Sequence, residues 1–396
     1  MKILSIPFAW FAVLFVCLLA SCGQNPAPPP PASVPPPSSP KPETFYYVLA
    51  FDKVNLREAP NQKAQVLAQL AEGEFVESTG EVSHNREEII LRDIPYDEPY
   101  FKVNTLGADK KQGWMFSAAL KPFYAGPKST APELEKLALL ANFLKKLDPQ
   151  KIESGKQAID FVKNNYASSS GTQADAVFIF LQSFLFRMEM EGNFYSLTER
   201  QQWADEDFEA VWKEKFDMNK YPLTKTLASN GFRLEEGEGM IFPIMDLARL
   251  TEFFRDKVTP PMKEYLLQLT QEQKDNAISD GGLVIGLDTI IDRAIFWENF
   301  NKQNPYFVRS LETRESEKWL QNVLLTGADN TPAFDYETNM AIEEFKKAWA
   351  SIQEKHAGTK LAQKVKELTA LLASEGGKRT EKVEEWLIHL HEPDHH

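Results

Sequence analysis

The chain has 396 residues, a formal net charge of -13, and 43% apolar and 12% aromatic residues. It can fill two or three cores at about 100–200 residues per domain, but its acidity excludes nucleic acid as a partner, because phosphate backbones are held by clustered Lys and Arg. Its two cysteines are Cys17 and Cys22, so the chain beyond Cys22 has no thiol for a disulfide, a Cys-ligated zinc site or a Cys nucleophile.

The start reads Met1-Lys2, an apolar run over 6–19, then Leu19-Ala20-Ser21-Cys22. A basic start, a short apolar core and small residues before a cleavage point predict a secretory signal peptide. The alternative is an uncleaved anchor, for which the run is marginal, since a span needs roughly 17–25 residues, and Pro7 interrupts it. Leu19-Ala20-Ser21-Cys22 resembles the lipobox of bacterial lipoproteins. The resemblance implies a signal peptide over 1–21, lipidation of Cys22 as the mature N-terminus, and attachment to a membrane of the cell envelope, facing the periplasm.

Residues 22–43 hold this Cys and a Pro- and Ser-rich spacer with almost no apolar bulk. Such a composition cannot form a core and favours an extended, semi-rigid chain of about 3 Å per residue. From 44 to 124 the pattern becomes short β-rich runs: Tyr46-Tyr47-Val48-Leu49, Val54-Asn55-Leu56-Arg57, Val66-Leu67-Ala68-Gln69-Leu70, Phe75-Val76 and Gly113-Trp114-Met115-Phe116. Alternating apolar residues between turn residues predict half-buried strands. Leu56, Val66, Leu70, Val76, Val103, Met115 and Leu120 are expected inside and Arg57 outside. The set Val54-Asn55-Leu56-Arg57, Gly73 and Gly113-Trp114 resembles the bacterial SH3-like (SH3b) domain. That implies a small all-β barrel folding by itself over 44–124 and binding a cell-wall peptide or an envelope protein. The candidate ligand residues are Tyr96, Tyr100, Trp114 and Phe116, with core packing the competing role for Trp114 and Phe116. The segment 80–101 is longer than the family's turn, and its strands are expected to join through Ile94-Pro95-Tyr96-Asp97.

Beyond Pro127 the period becomes helical. Helices are expected from 132 (N-cap Thr130) and over 157–165, 174–190, 203–216, 243–258, 261–275, 287–300, 316–325, 338–355, 359–374 and 380–391, making 130–396 an all-α domain with a possible split near 276–284. The segments at Trp297 and Trp349 align as helix, turn, helix. This resembles the paired helices of tetratricopeptide-like proteins in architecture only, because the spacing is about 52 residues rather than the 34 of that family; an irregular helical domain is the equal alternative.

The search for chemistry returns little. Of six histidines, His389, His391, His395 and His396 crowd the end, leaving His84 and His356. Neither suggests the buried, oriented imidazole a Ser-His-Asp triad needs. Hydrolase elbow, P-loop and dinucleotide motifs do not occur. The segment 329–335 has a calcium-loop composition without the Gly and Glu that complete one. No cofactor, metal or catalytic residue is assigned. The expected protein is a lipid-anchored, non-enzymatic binding or scaffold protein of the envelope, with a cell-wall hydrolase acting through the helical region as the alternative.

Overall fold

The computed structural model describes residues 45–48, 53–71, 73–91, 94–106, 109–123, 133–192, 222–237 and 240–389. The signal peptide, Cys22, the spacer, Thr130, the helix expected over 203–216 and the tail histidines His391, His395 and His396 lie outside them.

The first half of the fold is a curled antiparallel sheet. Its strands are β1 (Phe45–Val48), β2 (Val54–Arg57), β3 (Val66–Leu70), β4 (Phe75–Leu91), β5 (Ile94–Thr105), β6 (Gln112–Phe116) and β7 (Leu120–Pro122), in the order β3-β2-β6-β5-β4-β1-β7. The sheet is an open half-barrel with β3 and β7 at its edges, and the expectation of a separate small SH3-like barrel is overturned. The physical reason is that β1 is apolar on both faces. Val48 turns into the curl with Leu56, Leu70, Val76, Val103, Met115 and Leu120, all of which were expected inside. Phe45 and Tyr47 turn the other way and join the large core of the helices, together with Phe75 and Phe123. A sheet covered on both faces cannot be a free-standing module.

Val66 departs from the alternation and is 41% exposed. The pairing slips between Leu56 and Arg57, so that Arg57 faces Val66 while Leu56 faces Ala68, and such a bulge re-aims the residues beside it. The β4–β5 hairpin runs on as a long arm, with Ile94-Pro95-Tyr96-Asp97 paired as strand against Glu88 to Leu91 rather than serving as the turn.

Eleven α-helices are described in the remainder, which is not all-α. They are α1 (Leu134–Leu144), α2 (Glu153–Asn165), α3 (Thr172–Glu191), α4 (Pro222–Ser229), α5 (Leu247–Phe254), α6 (Pro260–Lys274), α7 (Leu287–Gln303), α8 (Ser310–Thr326), α9 (Glu343–Lys355), α10 (Lys360–Ser374) and α11 (Glu381–His389). Between them lie three two-stranded hairpins: β8 (Phe232–Gly237) with β9 (Met240–Met245), β10 (Ile278–Ser279) with β11 (Gly282–Leu283), and β12 (Gly327–Ala328) with β13 (Thr331–Pro332). The helix expected from 243 is therefore corrected. Pro243 stands in β9 opposite Leu234, and the helix begins only after Asp246, whose side chain accepts the Arg249 N–H. Asp280 and Gly281, at φ 48 and 70, form the hairpin turn where a chain break was expected, the positive-φ pair that two-residue loops require.

Helix α3 is the axis of the molecule, buried from Thr172 through Leu181. Phe75 of the sheet meets its Phe180 at 4.9 Å between ring centroids. A Cβ on Gly73, itself at φ +79, would lie 1.9 Å from the Ser183 hydroxyl, so glycine alone permits this approach of sheet to helix. The Tyr47 hydroxyl also donates to the Val308 carbonyl at 2.9 Å.

The helix–hairpin–helix units α6–β10–β11–α7 and α8–β12–β13–α9 follow in succession. In each, a buried tryptophan of the second helix donates to an acceptor 25 positions back: Trp297 Nε1 to Glu272 Oε1, and Trp349 Nε1 to the Leu324 carbonyl, both at 2.8 Å. The hairpin tips touch, with the Asn330 N–H donating to the Gly281 carbonyl at 2.8 Å and Leu283 N–H to Thr331 Oγ1 at 3.0 Å. The inserted hairpins distinguish these units from plain tetratricopeptide-like helix pairs.

Candidate functional site

Strand pairing gathers three of the four aromatic candidates on the outer face of the sheet. Trp114 pairs with Arg57 on one side and Lys102 on the other, and Lys102 Nζ lies 5.6 Å from its ring centroid, an attraction of cation to aromatic face. Lys102 also reaches Glu81 at 3.0 Å. Tyr100 and Phe116 are opposite one another and buried, their rings edge to face at 5.6 Å. The Tyr100 hydroxyl donates to Glu87 Oε2 at 2.7 Å; burial and then this bond hold its phenol above the usual range. Tyr96 stands apart on the arm, half-buried opposite Ile89. Tyr100 and Phe116 thus work as packing, and Trp114 is the ring left half-open.

The buried acids are occupied with holding the fold. Asp175, in the first turn of α3, accepts from Thr259 N at 2.8 Å and Thr259 Oγ1 at 2.6 Å, and desolvation raises it to about 6 against these bonds. Glu189, near the other end of α3, accepts the Met245 N–H at 2.9 Å and is raised by burial to about 7. Glu298 caps α10 by accepting from Lys360 N at 2.6 Å and Leu361 N at 3.1 Å. Glu272 takes the Trp297 and Gln268 donors and is raised by desolvation. Among the described residues no three His, Cys, Asp or Glu are grouped to hold a metal. Asp335, from the calcium-like segment, accepts instead from the Thr338 hydroxyl at 2.7 Å and its N–H at 2.8 Å.

A cleft of about 250 Å³ opens between α2, the 228–231 turn and α5. Three cations line it: Lys156 and Lys163 from α2, and Arg249 from α5. Below them lie Ile159, Val162, Leu181, Leu250 and Phe253. The acid among its lining residues, Asp160, is paired with Lys156 at 2.5 Å. Arg249 is braced from behind, Nη1 donating to the Ala228 carbonyl at 2.6 Å and Nε lying 3.3 Å from Asp246 Oδ2. Lys163 has no hydrogen-bond or ion-pair partner among the described residues. Lys257 adds positive charge nearby, its Nζ 3.9 Å from the Phe253 ring centroid.

The cleft's walls are fixed by backbone contact. The Lys156 N–H donates to Asn230 Oδ1 at 2.9 Å, and Asn230 Nδ2 returns to the Thr226 carbonyl at 2.8 Å. A Cβ on Gly155 would lie 2.2 Å from the Asn230 carbonyl oxygen. Gly231 has φ +88, and a Cβ there would lie 2.8 Å from Ile159. Sequence reasoning did not select these residues. The charges at 156, 160 and 163 do mark one face of α2 by their helical spacing, but Arg249 joins them through the β8–β9 hairpin, of which only the part from Pro243 was assigned, as helix.

Comparison with known proteins gives no likeness to argue from: no family model, curated protein or solved structure matches the chain.

Proposed function

We propose that this is a non-catalytic binding protein of a bacterial cell envelope, tethered by lipid at Cys22, whose partner is a cell-wall peptide or another envelope protein. The observation that supports binding is the cleft itself. A chain of net charge -13 brings Lys156, Lys163 and Arg249 together over an apolar floor, and a concave apolar site with a few placed polar groups is the common form of a ligand pocket. Its walls are pre-formed, which lowers the entropy cost of binding. The use of Asp175, Glu189 and Glu298 as acceptors of backbone N–H groups supports the non-catalytic half of the reading, since carboxylates so engaged are not presented to a substrate. The lipobox-like Leu19-Ala20-Ser21-Cys22 supports the location.

Incubation of the purified protein with isolated cell-wall sacculi tests the reading. The expected result is co-sedimentation without release of soluble fragments. Protein that stays in the supernatant with both sacculi and membrane-protein extracts refutes binding, and released wall fragments point to hydrolysis.

A further inference from the structure

Resting on that reading of the cleft, we propose that its ligand is the C-terminal carboxylate of a peptide whose last residue is small and apolar. Three features lead there. First, the rim is basic and asymmetric: Asp160 offsets Lys156 at 2.5 Å, while Lys163 has no partner among the described residues and Arg249 stands across from it on α5. An anion entering between them meets the ammonium of Lys163 and, on a separate element, a guanidinium whose charge Asp246 partly offsets.

Second, Arg249 is oriented for a planar anion. Nη1 is held by the Ala228 carbonyl and Nε lies beside Asp246, which fixes the plane of the guanidinium and leaves Nη2 without a hydrogen-bond partner among the described residues. A braced guanidinium suits a flat carboxylate, and the ammonium of Lys163 adds a point charge of freer geometry.

Third, the floor sets the body of the ligand. Leu250, Val162 and Leu181 are buried, and the half-buried Phe253 ring closes one side. A space of about 250 Å³ is enough for one small residue and its carboxylate. A bare inorganic anion would satisfy the rim and leave the floor unfilled. The -13 net charge further disfavours a ligand with many negative charges, because the field of the whole molecule repels them.

The test is calorimetric titration of the whole protein with N-acetyl-alanyl-alanine as the free acid, with the same dipeptide as its C-terminal amide, and with inorganic phosphate. The free acid should bind, the amide should not, and phosphate should displace the acid only at much higher concentration. Lys163→Gln changes an exposed side chain with no partner among the described residues, and it should weaken the free acid about ten-fold. No binding of the free acid, equal binding of acid and amide, phosphate binding as tight as the acid, or an unchanged Lys163→Gln protein would each overturn the assignment. Its failure is separable from that of the binding reading. A Lys163→Gln protein that loses the dipeptide yet co-sediments fully with sacculi overturns the cleft as the wall site and leaves wall binding standing. Dipeptide binding without co-sedimentation of the parent supports the cleft and removes the wall as its partner.

Discussion

Replacing Asp175 by Asn should stabilise the protein at neutral pH and do nothing at pH 4. Asp175 is buried at 5% exposure, and desolvation outweighs its two bonds from Thr259, lifting its pKa from 3.8 to about 6. A folded-state pKa above the unfolded value means that the stabilising form is the protonated one. That contribution is complete below about pH 4, declines as pH rises and is lost above about pH 6, where the fold must carry a buried charge. Roughly two units at about 1.36 kcal/mol each give about 3 kcal/mol. Asn keeps the acceptor for the Thr259 N–H and offers a donor to its hydroxyl without the charge. Urea unfolding at pH 4 and pH 8 should therefore show coincident midpoints for parent and variant at the lower pH, and a more stable variant by up to about 3 kcal/mol at the higher. A variant less stable than the parent at pH 8 and equal at pH 4 would refute the reasoning. It would show that the charged carboxylate holds Thr259 more strongly than burial penalises it.

Three further outcomes follow from the packing. The fragment 44–124 should fail to fold alone, giving no cooperative thermal transition by circular dichroism, because Phe45, Tyr47, Phe75 and Phe123 lose their helical partners; a cooperative β-rich fragment would restore the independent module. Gly155→Ala should destabilise by about 1–3 kcal/mol, since its Cβ meets the Asn230 carbonyl oxygen rather than a flexible side chain, and thermal unfolding at the parent's midpoint reads it directly. Trp349→Phe leaves the buried Leu324 carbonyl without the indole donor and should cost about 1–3 kcal/mol by chemical denaturation; a neutral variant would mean the bond contributes nothing net.

What the sequence disclosed and what it withheld have different physical causes. The inner face of the sheet was legible because Leu56, Leu70, Val76, Val103, Met115 and Leu120 alternate with polar neighbours, and period two carries that information directly. The outer helical cover was not sought, although Tyr46-Tyr47-Val48 is apolar without alternation, the mark of a strand buried on both sides. Helices α2, α3, α7 and α10 fell near their expected bounds because long apolar periods and caps such as Thr359 specify them. The short hairpins escaped because two-residue strands have no period to read, and the β8–β9 run around Pro243 is apolar enough to fit either period. The cleft was invisible for a related reason: its cations come from elements whose juxtaposition depends on that hairpin.

The two cores of the sheet carry a consequence for how the molecule breathes. Strands β2, β3 and β6 depend on the small cluster of Val48, Leu56, Leu70, Val76, Val103, Met115 and Leu120, whereas β1 and the start of β4 are also gripped by the helices through Tyr47 and Phe75. Loss of the small cluster would expose few apolar side chains and leave the larger core intact, so it belongs to the low-energy end of sub-global openings. Amide hydrogens of Asn55, Ala68 and Met115 should then exchange with deuterium together and well before those of Tyr47 and Val76. The sheet would peel from its β3 edge inward and stop at the strands that Phe180 and Val308 hold.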